Sequence, residues 1–203
     1  MELQDVGTIL FTGDSVTDCG RRTDPRAIGR GYVREVEQAL GPAGPRVVNT
    51  GISGNRLVDL EERWTDDVVA HRAGLVSVLI GINDTWRRFD RGLESPVAEF
   101  EERYDRMLAA LTGADGPRLV LVEPFVLPVS PDQEDWRPDV EERVEVVRRM
   151  AERWSAVLVP TYRELRKRAE EDGAAALADD GVHPTPAGHR AIAQLWLETV
   201  RDA

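Results

Sequence analysis

Five short runs of unbroken apolar residues constrain this 203-residue chain more than any other feature: Thr8 to Phe11, Val47 to Asn49, Val76 to Ile80, Leu119 to Val122 and Val157 to Val159. A strand with one wet face alternates apolar and polar side chains. These runs do not, which suits strands buried on both faces of a parallel sheet. Between them the apolar spacing changes to threes and fours. Leu57, Leu60, Trp64 and Val68 predict one helix. Val97, Phe100, Tyr104, Met107 and Leu111 predict a second, and Val140, Val144, Val147, Ala151 and Trp154 a third. A last helix carries Ile192, Leu195, Trp196 and Val200, with Pro186 suited to its first turn. Strand and helix alternate, so right-handed crossovers place helices on both sides of a five-stranded parallel sheet, a three-layer α/β/α sandwich. No repeat or linker divides residues 1–203, and one domain is expected. The longest irregular stretch, Glu123 to Asp139, holds Pro124, Pro128, Pro131, Pro138 and Trp136 and leaves the fourth strand on the side where ligands bind.

Composition excludes several classes of partner. No stretch approaches the about 20 apolar residues of a membrane span. A net charge of −11 and a pI near 4.8, with no basic stripe, oppose binding to nucleic acid. The N-terminal MELQDVGTILF carries acidic residues where an export signal needs a basic end. The single cysteine, Cys19, cannot form an internal disulfide and fits a reducing compartment, so a cytoplasmic location is expected.

Chemistry concentrates after the strands. The first strand runs into Gly13, Asp14 and Ser15, which places a hydroxyl at its C-terminal edge; taken alone, Ser15 is equally a helix cap. Asp180, Gly181, Val182 and His183 stand just before the last helix, and alone they are equally a capped turn. A serine hydroxyl becomes a competent nucleophile when a neutral imidazole takes its proton and a carboxylate fixes the imidazole tautomer, roles open to His183 and Asp180. Gly54 follows the second strand and Asn83 the third. Their amides, with the Ser15 N–H, could form an oxyanion hole, although each glycine-rich stretch is singly no more than a tight turn. All five positions belong to one sheet edge, and that convergence favours the catalytic reading.

The segments GDSVTD, GISGN, GIND and DGVHP resemble the four blocks of the SGNH (GDSL-like) hydrolase superfamily. The resemblance implies a flavodoxin-like sheet and a serine esterase with Ser15 as nucleophile, His183 as base, Asp180 as its orienting partner, and Gly54 and Asn83 as oxyanion donors. Val16 stands where the first block commonly has leucine. A longer similarity, through GDSVTDCGR, GRGYV, RVVNTGISGN, LEERWTDDVVA and VLIGINDTWRRFD, is to intracellular acetylxylan esterases, and implies acetylated xylo-oligosaccharides or similar sugars as substrate. Trp86 and Trp136 are candidates to stack on sugar faces and Arg87 to hydrogen-bond sugar hydroxyls. Trp64 and Trp154 lie on apolar helical stripes and are expected in the core. Cys19 is expected as a small apolar filler, and His71 and His189 lack ligand-spaced partners, so no metal and no cofactor are expected. Self-association is an expectation resting on the long loop and the resemblance. The rivals are a lysophospholipase or thioesterase of the same superfamily, a Mg²⁺-dependent phosphoesterase using Asp14 and Asp18, and a sugar-binding protein without catalysis.

Overall fold

The computed structural model describes residues 3, 6–111, 113 and 116–203. Glu2 and Asp5, which argue against an export signal, lie outside the described residues. Strands β1 (Thr8–Gly13), β2 (Arg46–Asn49), β3 (Leu75–Leu79), β4 (Arg118–Val122) and β5 (Val157–Val159) pair in parallel throughout, in the order β2-β1-β3-β4-β5. The helices are α1 (Ser15–Asp18), α2 (Tyr32–Leu40), α3 (Leu57–Glu62), α4 (Trp64–Asp67), α5 (Ile82–Arg91), α6 (Val97–Ala109), α7 (Pro131–Glu134), α8 (Arg137–Arg153), α9 (Thr161–Asp172), α10 (Ala174–Leu177) and α11 (Pro186–Asp202).

The missing polar alternation in the strands has a direct cause. Leu75 and Leu79 of β3 and Val120 and Val122 of β4 enter the core shared with α2, α9 and α11. Val76 and Val78 of β3 and Leu119 and Leu121 of β4 enter the opposite core, shared with α3, α4 and α6. Helix α8 serves both, through Val140 and Val144 on one side and Val146, Val147 and Met150 on the other. Each face of the sheet is therefore dry, as a sheet covered on both sides requires. Among the described residues no helix is long and apolar enough to cross a membrane.

Two expectations change. The Leu57 to Val68 stripe is not one helix: it breaks at Arg63 (φ −105°, ψ 5°) into α3 and α4, although Leu57, Leu60, Trp64 and Val68 remain buried together. Burial fixes the stripe, and the hydrogen bonds of Arg63 described below accompany the break. The Glu123 to Asp139 stretch is not irregular throughout. It contains α7 and the start of α8, where Pro131 and Pro138 occupy first-turn positions that lack hydrogen-bonding obligations.

Helix α11 sets the register between its N-terminal loop and the sheet. Trp196 is fully buried, its ring 5.1 Å from that of Phe11, and its indole N–H donates to Ser77 Oγ of β3 at 3.0 Å. Burial of so large a side chain stabilises by about 3 kcal/mol, and the hydrogen bond satisfies the polar ends of both residues. At the helix start Thr185 Oγ1 accepts from Gly188 N–H at 3.2 Å and donates to Ala176 O at 2.6 Å, which ties the loop ahead of α11 to α10.

Candidate active site

Strand order decides which loops meet. β1 lies between β2 and β3, so the loop after β1, carrying Ser15, is flanked by the loop after β2, carrying Gly54, and the start of α5, carrying Asn83. Ser15 opens α1, whose N-cap is Asp14: Asp14 Oδ1 accepts from Val16 N–H at 3.0 Å. Gly13 makes this turn possible. Its φ is +148°, and a Cβ there would stand 1.9 Å from Leu79 O on β3.

The fourth loop descends from α10 to α11, closed by an antiparallel bridge between Ala178 and Pro184. His183 Nε2 lies 3.0 Å from Ser15 Oγ, and His183 Nδ1 lies 2.6 Å from Asp180 Oδ2. Asp180 Oδ1 also accepts from the backbone N–H of Val182 at 2.9 Å and of His183 at 2.7 Å. Partial burial alone would raise the Asp180 carboxyl, but the His183 ring and these two N–H groups hold it below the usual carboxylate range. Asp180 is therefore ionised at neutral pH. Its Oδ2 accepts Nδ1–H, which leaves Nε2 free to accept from the Ser15 hydroxyl.

Gly54 adopts a left-handed φ of +84°, with open space where a Cβ would stand, so backbone conformation and not crowding favours glycine. Asn83 is buried, and its Nδ2 donates to Asn55 O at 3.1 Å, which fixes the amide and leaves its second hydrogen. Asp84 joins this helix to α3, its Oδ2 accepting from Leu57 N–H at 3.0 Å and its Oδ1 from Ser95 Oγ at 2.9 Å.

Ser15, Gly54, Asn83 and His183 line one open cavity of about 470 Å³ with Trp86, Arg87, Cys19, Ser53, Pro184 and His189. Trp86 is half-buried, with its ring 5.8 Å from that of His183. The Arg87 guanidinium lies over the Trp86 ring and pairs with Asp90. Trp136 is placed differently. Only 8% exposed, it packs 5.6 Å from Trp86 and 6.0 Å from the exposed Phe89, and so backs Trp86 from outside the cavity lining.

Buried His189 and half-buried Cys19 form a pair in the wall. Tyr32 N–H donates to His189 Nδ1 at 3.1 Å, so Nε2 carries the proton in the neutral ring and faces Cys19 Sγ at 3.3 Å. Burial, and secondarily the charge of His183, push the His189 pKa down to about 4. Burial raises the Cys19 thiol, and the protonated Nε2 that faces it has no lone pair to take its proton.

Sequence reasoning missed the residues that brace these loops. Asp18 Oδ2 accepts from both Ser53 N–H at 2.9 Å and Ser53 Oγ at 3.1 Å, next to Gly54. Gln133, on α7 within the proline-rich stretch, donates through Nε2 to Asp180 O at 2.7 Å and accepts from Val129 N–H at 2.9 Å. Leu127 N–H donates to Gly181 O at 2.8 Å, so the loop after β4 clasps the loop that carries Asp180 and His183. One oxygen of Asp14 and both of Asp18 accept from protein donors, and among the described residues no three His, Cys, Asp or Glu side chains gather to hold a metal.

Residues 11–191 match the model of the GDSL-like lipase/acylhydrolase family. The chain belongs to that family. This acylhydrolase is 36% identical over 204 residues to an acetylxylan esterase of Geobacillus stearothermophilus, an alignment that spans 95% of this chain and 93% of the relative. Its fold superposes on the crystal structure of an acetylxylan esterase from that organism with a TM-score of 0.89 at 35% identity, covering 98% of this chain and 96% of the other. A GDSL-like lipase from Parabacteroides merdae gives the same TM-score at 31% identity, over 96% and 95% of the two chains. Further similar structures are catalytic mutants of the Geobacillus enzyme in which a serine, an aspartate and a histidine are each replaced by alanine.

Proposed function

We propose that the protein is a serine acetylesterase that removes acetyl groups from acetylated xylo-oligosaccharides or similar sugars through an acyl-enzyme. The observation that carries this is the chain of contacts from Asp180 through His183 to Ser15 Oγ, at 2.6 and 3.0 Å, at the mouth of an open cavity. Membership of the family supports ester hydrolysis, and the acetylxylan esterase relatives support the acetyl-sugar substrate.

In this reading His183 Nε2 takes the Ser15 proton as Oγ attacks the acetyl carbonyl carbon. The oxyanion is met by the Ser15 N–H, the Gly54 N–H and the free hydrogen of the Asn83 amide. As the tetrahedral adduct collapses, the C–O bond to the sugar breaks and His183 protonates the departing alcohol. Water, deprotonated by His183, then attacks the acetyl-serine, releases acetate and restores Ser15. Ionised Asp180 stabilises the imidazolium in both halves. Trp86 and Arg87, lining the cavity, contact the sugar, while Trp136 holds the Trp86 ring in place. The chemistry needs neither metal nor cofactor.

Residues 1–203 act as one domain in this reading. The lone Cys19 fits a reducing, cytoplasmic compartment. Exposed Phe89, Leu93 and Val129 offer apolar surface for self-association, which sedimentation equilibrium measures directly. The deciding experiment follows acetate release from acetylated xylo-oligosaccharides by wild type and by Ser15→Ala. Release that vanishes in the variant is expected. Equal release from both would refute Ser15 as nucleophile. Folded protein inactive on acetyl sugars but active on long-chain esters or thioesters would transfer the assignment to the lysophospholipase or thioesterase rival.

A further inference from the structure

We infer that Arg63 is a positioning residue for the oxyanion hole: its guanidinium holds the Gly54 loop and the Asn83 amide in register with the Ser15 loop. It makes three contacts on two segments. Nη2–H donates to Gly13 O at 3.0 Å, on the turn two residues ahead of Ser15. Nη1–H donates to Thr50 O at 2.7 Å, where β2 enters the Gly54 loop. Nε–H donates to Asn55 Oδ1 at 2.7 Å, on the residue after Gly54. Asn55 completes the connection, because its carbonyl oxygen is the acceptor that fixes the Asn83 amide.

The arrangement exploits a rigid planar fork. Gly13 O already accepts from Ile52 N–H at 3.0 Å, and the guanidinium adds a donor to its second lone pair while reaching Thr50 O and Asn55 Oδ1 at fixed mutual angles, which a lysine ammonium does not. Asp67 Oδ2, at 2.8 Å from Nη1, balances the charge on this half-buried side chain. Arg63 also occupies the point where α3 and α4 break, so the residue that separates the two helices carries the clamp.

The inference rests on the proposed roles of Gly54 and Asn83, and the test separates the two. Rates of acetyl-ester hydrolysis are measured for Arg63→Ala, Arg63→Lys, Asn83→Ala and the double variant Arg63→Ala/Asn83→Ala, each normalised to folded protein by circular dichroism. A positioning role predicts that Arg63→Ala lowers kcat at least tenfold with KM changed less than threefold. Inactivation by a serine-directed phosphonate should slow in proportion, because its adduct uses the same hole. Arg63→Lys should recover only part of the loss. The loss from Arg63→Ala should shrink severalfold in the Asn83→Ala background, since residues acting through one group are not additive. Folded Arg63→Ala with kcat within twofold of wild type overturns the inference, as does a loss that multiplies unchanged with that of Asn83→Ala. Should Arg63→Ala fail to fold, Asn55→Ala removes only the Nε contact, and kcat unaltered there overturns the inference as well. Wild-type kcat in Asn83→Ala alone would instead refute the oxyanion reading itself.

Discussion

Asp14 stands beside Ser15 and yet weakens the fold, which Asp14→Asn should reveal. The carboxyl is almost fully buried; Oδ1 accepts from Val16 N–H, and Oδ2 has no hydrogen-bond partner. Burial pushes its pKa from 3.8 up to about 7, opposed by the Val16 N–H and the charge of His183 and reinforced by Asp84. The sign follows from linkage. The folded state prefers the protonated carboxyl and the unfolded state releases its proton near pH 4, so stability is undiminished in acid, falls as pH rises from about 4 and is lowest above about 7. A shift near three pKa units sets a ceiling of about 4 kcal/mol, and about 2–4 kcal/mol is expected in practice. Asparagine keeps the acceptor for Val16 N–H and the shape, and it cannot ionise. For a chain of this length about 1 kcal/mol moves Tm by about 2–4 °C, so Asp14→Asn should melt roughly 4–16 °C above wild type at pH 8 and nearly level with it at pH 4. Differential scanning calorimetry across that range reads the difference directly. An unchanging gap between the two melting curves would refute the argument, because any stabilisation by asparagine would then not come from ionisation.

Three further outcomes follow from the same geometry. Asp180→Asn should keep the fold but lower kcat by about 10⁴, since an amide presents the wrong partner to His183 Nδ1 and the imidazolium loses its counter-charge; steady-state kinetics on an acetyl ester checks this. Buried His189, its pKa down at about 4, stabilises the fold fully above its unfolded value of 6.5, and that contribution is lost as pH falls towards 4. His189→Asn retains an acceptor for Tyr32 N–H and should flatten the wild-type loss of Tm through that window. Trp196→Phe should cost about 2–4 kcal/mol by leaving Ser77 Oγ unpartnered and opening a cavity, and guanidinium unfolding measures it.

The sheet was legible because burial on both faces leaves a local mark: β3 and β4 have no polar alternation, and period-two sorting into two cores needs none. The convergence of the candidate site residues was legible for a related reason. Ser15, Gly54, Asn83 and His183 each sit in a short glycine-bearing or turn-forming motif after a strand or before a helix, where chain order alone brings them to one edge. Trp136 shows where this reading stops, for an aromatic residue in a proline-rich segment presents the same sequence signal whether it lines the cavity or packs behind a residue that does. Arg63, Asp18 and Gln133 were not legible because their partners are chiefly backbone groups far along the chain: Gly13 O for Arg63, Ser53 N–H for Asp18 and Asp180 O for Gln133. A carbonyl accepts a hydrogen bond whatever side chain its residue bears, so the acceptor end of such a contact leaves no signature. What remained visible was a single mismatch, a helical stripe that breaks at Arg63 although its apolar positions continue through the break. Hydrophobic periodicity records what is buried, and the break marks where the backbone leaves the helix while the guanidinium binds the loops that carry Ser15 and Gly54.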